Sequence, residues 1–166
     1  MKTIDDMRDD LSALGTEWSL VTDRVMGGVT EGRLSREDVE GRTARRITGD
    51  VRLDNDGGFL QMALDLAPED GAFDASAYEG IVATVRGNGE DYDLRLRTHD
   101  TDHSWQSWRH GFHAGPEWGE VRLPFSAFEA HRIDKPLDLH RLRRLGLVAI
   151  GRAFHADLAV SRLAFY

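Results

Sequence analysis

Alternation of apolar and polar residues, with the two-residue period of a β-strand, runs through the chain from Gly15 almost to its end. Residues 60–66 carry leucine or methionine at every second position, and residues 92–98 alternate in the same way with charged residues between. Residues 80–86 are apolar on both sides, which predicts a central strand. Few helices and many glycine turns then favour roughly nine short strands in an all-β fold, an antiparallel two-sheet sandwich of jelly-roll type.

The first residues show a different period. Ile4, Met7, Leu11 and Leu14 would share one helical face, which predicts a short helix over residues 3–14 that ends at Gly15. The polar segment 129–137 predicts a loop, but strands on both sides of it are needed to complete the sheets. We therefore expect one domain over residues 1–166, with residues 1–15 as a helical extension.

Two segments place polar residues directly before a pair of glycines, Thr22–Val29 and Leu53–Phe59. Glycine pairs allow backbone angles that other residues adopt only at a cost in energy, so both segments predict sharply shaped turns that meet in the fold. We assign structural roles to six of their residues: Asp23, Gly27, Gly28, Asn55, Gly57 and Gly58. The carboxylates of these turns are expected to bind nearby backbone N–H groups, with a structural calcium ion as the less favoured alternative.

Composition excludes several classes of function. The chain has 29 acidic residues against 21 lysines and arginines, a net charge of -8, which argues against binding to nucleic acid. It has no cysteine, so disulfides and thiolate metal sites are excluded. The N-terminus shows no secretory or mitochondrial signal, and no apolar run is long enough to insert into a bilayer, which predicts a cytoplasmic location.

Histidines crowd between residues 99 and 113, where His99, His103, His110 and His113 accompany two aspartates. Imidazole and carboxylate groups bind zinc when three or four converge, so a metal-assisted hydrolase is one alternative. On a strand, however, His110 and His113 point to opposite faces, and exposed loop histidines are the favoured interpretation. No Gly-x-Ser-x-Gly turn or phosphate loop occurs, and we expect no enzyme and no cofactor.

The best candidate for a binding surface is the strand that carries Arg95 and Arg97, together with Trp105 and Trp108. Guanidinium groups offer planar donors and indoles offer a flat apolar face, which together suit a sugar ring, a carboxylate or a side chain of a partner protein. The competing interpretation pairs the arginines with acids on neighbouring strands and places one tryptophan in the core.

Several motifs, in the same order along the chain, resemble the complex I intermediate-associated protein 30 family. They are Trp18, residues 22–29, residues 51–59, residues 86–89, Tyr92, residues 94–97, Trp118, residues 123–125, Phe128 and residues 145–147. The resemblance extends over nearly the whole chain from Trp18 to Tyr166. It implies a galactose-binding-like β-sandwich, and no catalytic residues carry over from it.

Mitochondrial members of that family assist assembly of respiratory NADH:ubiquinone oxidoreductase. The resemblance therefore implies a non-catalytic interaction or assembly-factor module, a chaperone-like protein whose partner is a client protein such as a respiratory-complex subunit. A carbohydrate-binding domain that uses the Arg95 and Arg97 face is the first alternative. The metal-assisted hydrolase with the histidine group is the second.

Overall fold

A computed structural model describes all residues from Met1 to Tyr166 and shows two antiparallel sheets of six strands each. The first sheet has the spatial order β3-β4-β12-β6-β9, with β1 paired to β12. Its strands are β1 (Lys2–Asp5), β3 (Glu31–Val39), β4 (Arg42–Val51), β6 (Gly80–Gly87), β9 (Gly119–Pro124) and β12 (Phe154–Phe165). The predicted all-β sandwich is confirmed.

The second sheet has the order β10-β8-β7-β11-β5-β2. Its strands are β2 (Trp18–Thr22), β5 (Phe59–Asp65), β7 (Glu90–Thr98), β8 (Ser107–Ala114), β10 (Glu129–His131) and β11 (Leu142–Ile150). β7 and β11 therefore lie at its centre, where each is paired on both sides.

The hydrophobic core lies between the two sheets and forms a cluster of 28 buried residues. On β5, Leu60, Met62 and Leu64 are fully buried while Phe59, Gln61 and Asp65 are only partly covered, as the alternation predicts. β6 lies between β12 and β9 and is buried on both faces near its start, as expected for a central strand.

The predicted helix over residues 3–14 is wrong. Lys2–Asp5 instead forms β1, which pairs antiparallel with the end of β12, and no helix follows it. Ile4 and Met7 are nevertheless fully buried in the core. Their apolar side chains therefore pack inside the protein, but the helical periodicity inferred from their spacing is wrong. Met7 has a left-handed backbone with φ of 66°, which a helix cannot contain.

The side chains of Asp5 and Arg45 form hydrogen bonds with backbone groups that the predicted helix would have paired within itself. Asp5 accepts a hydrogen bond from the Met7 backbone N–H at 2.9 Å, which closes a turn directly after β1. Arg45 on β4 donates from Nη1 to Asp5 and from Nη2 to the carbonyl oxygens of Asp9 and Asp10. These long-range bonds fix the segment in an irregular conformation, and local periodicity carries no trace of them.

Twelve strands replace the nine expected. Besides β1, the sequence analysis missed β3, and it assigned the three residues of β10 to a loop. The helical content consists of four short 3-10 turns: Asp23–Met26, Asp54–Asp56, Phe125–Ala127 and Leu139–Arg141. None of them has the length and apolar character that a helix needs to cross a membrane.

Candidate functional site

The two glycine-pair segments meet around the buried carboxylate of Asp23. Its Oδ1 accepts from the Thr30 backbone N–H at 2.9 Å, and its Oδ2 accepts from the Thr30 hydroxyl at 2.5 Å and the Gly58 N–H at 2.6 Å. A longer bond of 3.3 Å comes from the Phe59 N–H. Burial alone would raise the pKa of Asp23, but these hydrogen bonds outweigh it and hold the pKa below its ordinary value.

The four glycines of these segments divide into two roles. Gly27 and Gly58 have positive φ angles of 87° and 130°, which disfavour any residue with a Cβ. A Cβ on Gly28 would lie 2.5 Å from the Asp23 carboxylate, and one on Gly57 would lie 2.7 Å from Asp23 Oδ2. Each pair thus supplies one glycine for the backbone angle and one to make room for the buried acid.

The tips of the two loops are held together and display apolar side chains. Asn55, itself left-handed with φ of 58°, donates from Nδ2 to the Gly27 carbonyl at 3.1 Å. Val25, Met26 and Leu53 on these loops are 75%, 61% and 50% exposed. The assigned turn residues therefore meet in one place.

The predicted binding strand lies at the centre of the second sheet, with its charged side chains on the outer surface. Register pairs Arg95 with Arg109 and Asp93 with Gly111, while Leu94 and Leu96 point into the core. We call the outward residues of β7 and β8 the arginine face. They are Asp93, Arg95, Arg97, Ser107, Arg109 and Gly111.

The neighbouring strands extend this face. Gly146 of β11 lies opposite Arg95, and Arg144 lies opposite Arg97. On the other side, His131 of β10 pairs with Ser107. The face is therefore continuous across four strands.

Three buried polar atoms on the arginine face have no hydrogen-bond partner: Arg95 Nε, Arg97 Nε and Ser107 Oγ. Ser107 is 3% exposed and precedes Trp108, which pairs with Leu96, so Ser107 lies beside Arg97. Leaving a buried donor or acceptor unpaired costs about 1–3 kcal/mol, so native proteins pair most such groups. All three atoms lie beneath the surface, so they mark a buried polar layer under the arginine face that is not fully hydrogen-bonded.

Each of the two guanidinium groups uses only part of its Nε–Nη2 edge. Arg95 Nη2 is 3.4 Å from Asp93 Oδ2, and Arg97 Nη2 donates to the His103 carbonyl at 3.2 Å. Elsewhere in the chain the same edge is filled, because Arg46 donates from Nε and Nη2 to the two oxygens of Asp157 at 2.8 and 2.7 Å. At Arg95 and Arg97, Nη2 forms a hydrogen bond while the buried Nε has no partner. We call each such edge a half-filled fork.

The electrostatics agree with this geometry. Burial lowers the pKa of Arg95, and burial together with Arg143 and Arg144 lowers the pKa of Arg97. Burial also lowers the pKa of His131, and the nearby charges of Arg109 and Arg95 lower it further. Asp93 opposes the pKa shift of Arg95, whereas Arg109, Arg143 and Arg144 add positive charge around the face, although the chain as a whole is acidic.

Trp105 lies at the rim of the arginine face. It belongs to the loop between β7 and β8, is 53% exposed and stacks on His103 with ring centroids 4.3 Å apart. The His103 carbonyl is the acceptor for Arg97, so the loop brings the indole close to the half-filled forks. Trp105 and the two arginines therefore occupy one region.

Trp108 does not belong to that surface. It pairs with Leu96 on the core side of the sheet and is 2% exposed, and its Nε1 donates to the Lys135 carbonyl at 3.1 Å. Strand alternation sets this orientation, because Arg109 next to it faces outward. An indole that is buried and bonded in this way cannot offer a flat ring to a ligand.

The histidines do not converge. His99 contacts the Gly71 carbonyl, His103 stacks on Trp105, and His113 pairs with Asp91 at 2.8 Å. Along the chain, no group of three or more histidine, cysteine, aspartate or glutamate side chains comes together in a way that could hold a metal ion. The histidines on which the hydrolase hypothesis rests therefore lie apart from one another.

An open cavity of about 500 Å³ continues the arginine face toward the turn after β11. Asp93, Arg109 and Gly111 form the side shared with the face, and His113 and Arg152 lie at the far side. A second cavity, of about 680 Å³, lies near the Asp23 loops and has mostly charged walls. The first cavity borders the arginine face, and the second does not.

Sequence reasoning missed Ser107, Arg109 and His131. The signal for the first two was present, because residues 107–111 alternate and face residues 93–97 across a hairpin. Recognising this alternation as one surface requires the pairing register of β7 and β8, which depends on how many residues of the connecting loop are unpaired. His131 carried no signal, since its short strand was not predicted.

The sequence model of complex I intermediate-associated protein 30 (CIA30) matches residues 9–160. The chain belongs to the CIA30 family. No curated protein sequence matches it. The family that the motif resemblance indicated is thereby confirmed.

Solved structures similar to this CIA30 chain include carbohydrate-binding modules. A family 11 module from Clostridium thermocellum, in complex with a β-1,3-1,4-mixed-linked tetrasaccharide, has a TM-score of 0.74 at 14% identity, over 99% of this chain and 94% of that one. A family 30 module has a TM-score of 0.64 at 14% identity, over 87% and 80% of the two chains. At such identity the likeness shows the galactose-binding-like fold alone.

An exo-β-agarase contains a similar region. Its TM-score is 0.64 at 8% identity, and the match covers all of this chain but 25% of the agarase.

Proposed function

We propose that this CIA30-family protein is a non-catalytic binding module that holds a client protein against its arginine face. The observation that carries the proposal is the cluster of three unpartnered buried atoms on Arg95, Arg97 and Ser107. Such atoms destabilise the free protein, and because they lie beneath the surface, a client would recover that free energy by drawing the guanidinium groups outward so that the atoms become accessible. The assembly role associated with the family supports a protein client, such as a respiratory-complex subunit.

A protein interface also suits the composition of the surface. Arginine is enriched where proteins bind one another, and its planar fork recognises carboxylates with defined geometry. Trp105 adds an exposed aromatic anchor at the rim. The exposed apolar side chains of the Asp23 loops are a separate surface and are not part of this proposal.

Carbohydrate binding on the same face is the second candidate, favoured by the structural likeness to a module that holds a tetrasaccharide. Sugar rings pack on flat aromatic surfaces, and the arginine face has one such ring nearby, Trp105. Trp108, the other candidate indole, is buried. The scarcity of aromatic platforms makes this the weaker of the two proposals.

The test is affinity purification from the native organism at native expression, with the double variant Arg95→Gln and Arg97→Gln beside the unchanged protein. A matched control replaces Arg33 and Arg122, exposed arginines of the first sheet, by glutamine. We expect a reproducible client that the control variant retains and the face variant loses. Recovery of the protein alone, or a client retained equally by both variants, would contradict the proposal, and a glycan array tests the second candidate.

A further inference from the structure

The spacing and charge of the arginine face indicate the chemistry of its ligand. Arg95 and Arg97 occupy alternate positions on one strand, so their side chains leave the sheet about 6.6–6.8 Å apart. Carboxylates on alternate residues of an extended peptide have the same spacing, because such a peptide has the same rise per residue. Two acids separated by one residue could therefore reach both arginines at once.

The half-filled forks define what each arginine lacks. A carboxylate has two oxygens in the plane that the Nε–Nη2 edge presents, as the pairing of Arg46 with Asp157 illustrates in this chain. At Arg97 a carboxylate would replace the His103 carbonyl at Nη2. The orphaned Nε is buried and would bond the second oxygen only after the guanidinium turns outward.

The next outward position along β7, Asp93, is acidic rather than basic. Asp93 continues the row of outward side chains, and the residue opposite it is Gly111, which adds no side chain to the surface. A Cβ on Gly111 would come no closer than 3.6 Å to Asp93, so the space above this pair is open and leads into the 500 Å³ cavity. A third acid would be repelled here, whereas a lysine or arginine would fit both the charge and the room.

We infer that the arginine face binds an extended acidic segment of a client protein, with acids at alternate positions over Arg97 and Arg95 and a basic residue over Asp93. This inference rests on the proposed function and specifies the partner's chemistry. Arg109, which has no carboxylate partner, lies opposite Arg95 and adds to the attraction for the acids. An acidic oligosaccharide would also supply carboxylates to the arginines, but unlike the peptide it has no basic group to place over Asp93.

The experiment is an NMR titration of the full-length protein at low ionic strength, which follows the Nε–H signals of Arg95 and Arg97. The probe is a short peptide containing Asp-Ser-Asp-Ser-Lys. Two controls are a peptide of the same composition with adjacent acids, Asp-Asp-Ser-Ser-Lys, and one with both acids replaced by asparagine. We expect the alternating peptide to shift both Nε–H signals and to bind at least ten times more tightly than either control.

Variants separate the site from general attraction of charge. Arg97→Gln is expected to weaken binding of the alternating peptide about tenfold, Arg97→Lys by less, and Arg33→Gln not at all, with melting temperatures measured on every variant. Equal binding of the alternating and adjacent-acid peptides would overturn the inference. So would shifts produced by oligogalacturonate or by a neutral β-glucan but not by the peptide. If no peptide binds while client recovery still depends on Arg95 and Arg97, the inference fails and the proposed function stands.

Discussion

Replacing Asp23 by asparagine tests the account of the glycine-pair loops most directly, because the change preserves shape and removes only the charge and one acceptor. In the structure Oδ2 accepts from the Thr30 hydroxyl and from the backbone N–H groups of Gly58 and Phe59. Asparagine can place its carbonyl oxygen at the Oδ2 position, but its NH₂ then faces the Thr30 backbone N–H, which cannot turn away. At about 1–3 kcal/mol for a buried donor left unpaired, the variant should lose about 1–3 kcal/mol of unfolding free energy.

The effect should depend on pH in a defined direction. The folded-state pKa of Asp23 is lowered, so its contribution is fully present above the unfolded value of about 3.9 and is lost as the pH falls through the folded pKa. Urea denaturation at pH 7 and at intervals down to acid pH measures this. The difference between the unchanged protein and Asp23→Asn should be largest near neutrality and shrink below about pH 4.

Asp54→Asn is the matched control, since Asp54 lies on the companion loop in an exposed ion pair with Arg52 at 3.2 Å. Surface pairs of this kind contribute about 0–1 kcal/mol, so this variant should unfold almost as the unchanged protein does. Similar stability of the Asp23 and Asp54 variants at pH 7 would refute the reasoning, as would a loss in Asp23→Asn that stays constant into acid.

Three further predictions follow from other contacts. Gly28→Ala should lower the unfolding free energy by more than Gly89→Ala, because the new Cβ would lie 2.5 Å from Asp23. Gly89 has a positive φ but open space around it, so its replacement should cost roughly 1 kcal/mol. Thermal melts of the two variants measure the difference. Arg45→Met should destabilise by about 3–5 kcal/mol, since it leaves the buried carboxylate of Asp5 without its ion-pair partner, and limited proteolysis should then cut within the first residues; an unchanged cleavage pattern would contradict the anchoring role. Trp105→Ala should leave the melting temperature within a degree or two while reducing client recovery, because the ring is largely exposed; unaltered recovery would remove Trp105 from the interface.

The architecture could be predicted from the sequence because neighbouring residues alone reveal strand alternation, and that alternation determines which face of each strand packs against the opposite sheet. Residues 60–66 and 92–98 show which side faces the core, and the structure agrees except at Ala63, which is also buried. The N-terminal segment failed for the converse reason. Its conformation depends on Arg45, about forty residues away in the sequence, which binds the carbonyl groups that a helix would have used.

The candidate site was predicted in part for the same reason. Arg95 and Arg97 stood out because both their strand and their charge are local features. Ser107 became visible only with the hairpin register, since serine is common and nothing in its neighbourhood marks it as buried. The exclusion of Trp108 likewise required the register, because an indole on a strand faces the core or the solvent according to a single-residue shift.

The arginine face also bears on how one fold can serve different ligands. A sandwich sheet fixes the positions from which side chains leave its outer surface, and the residues at those positions determine the chemistry. In this chain the central strands β7 and β11 place arginine and glycine on the outer surface where flat rings would favour sugars. Gly146 opposite Arg95 shows that even the small residues are constrained, because a Cβ there would meet Gln61 Oε1 at 2.5 Å. The scaffold resembles carbohydrate-binding modules, whereas the surface it presents is suited to charged, hydrogen-bonding partners, and that difference favours a protein client over a neutral glycan.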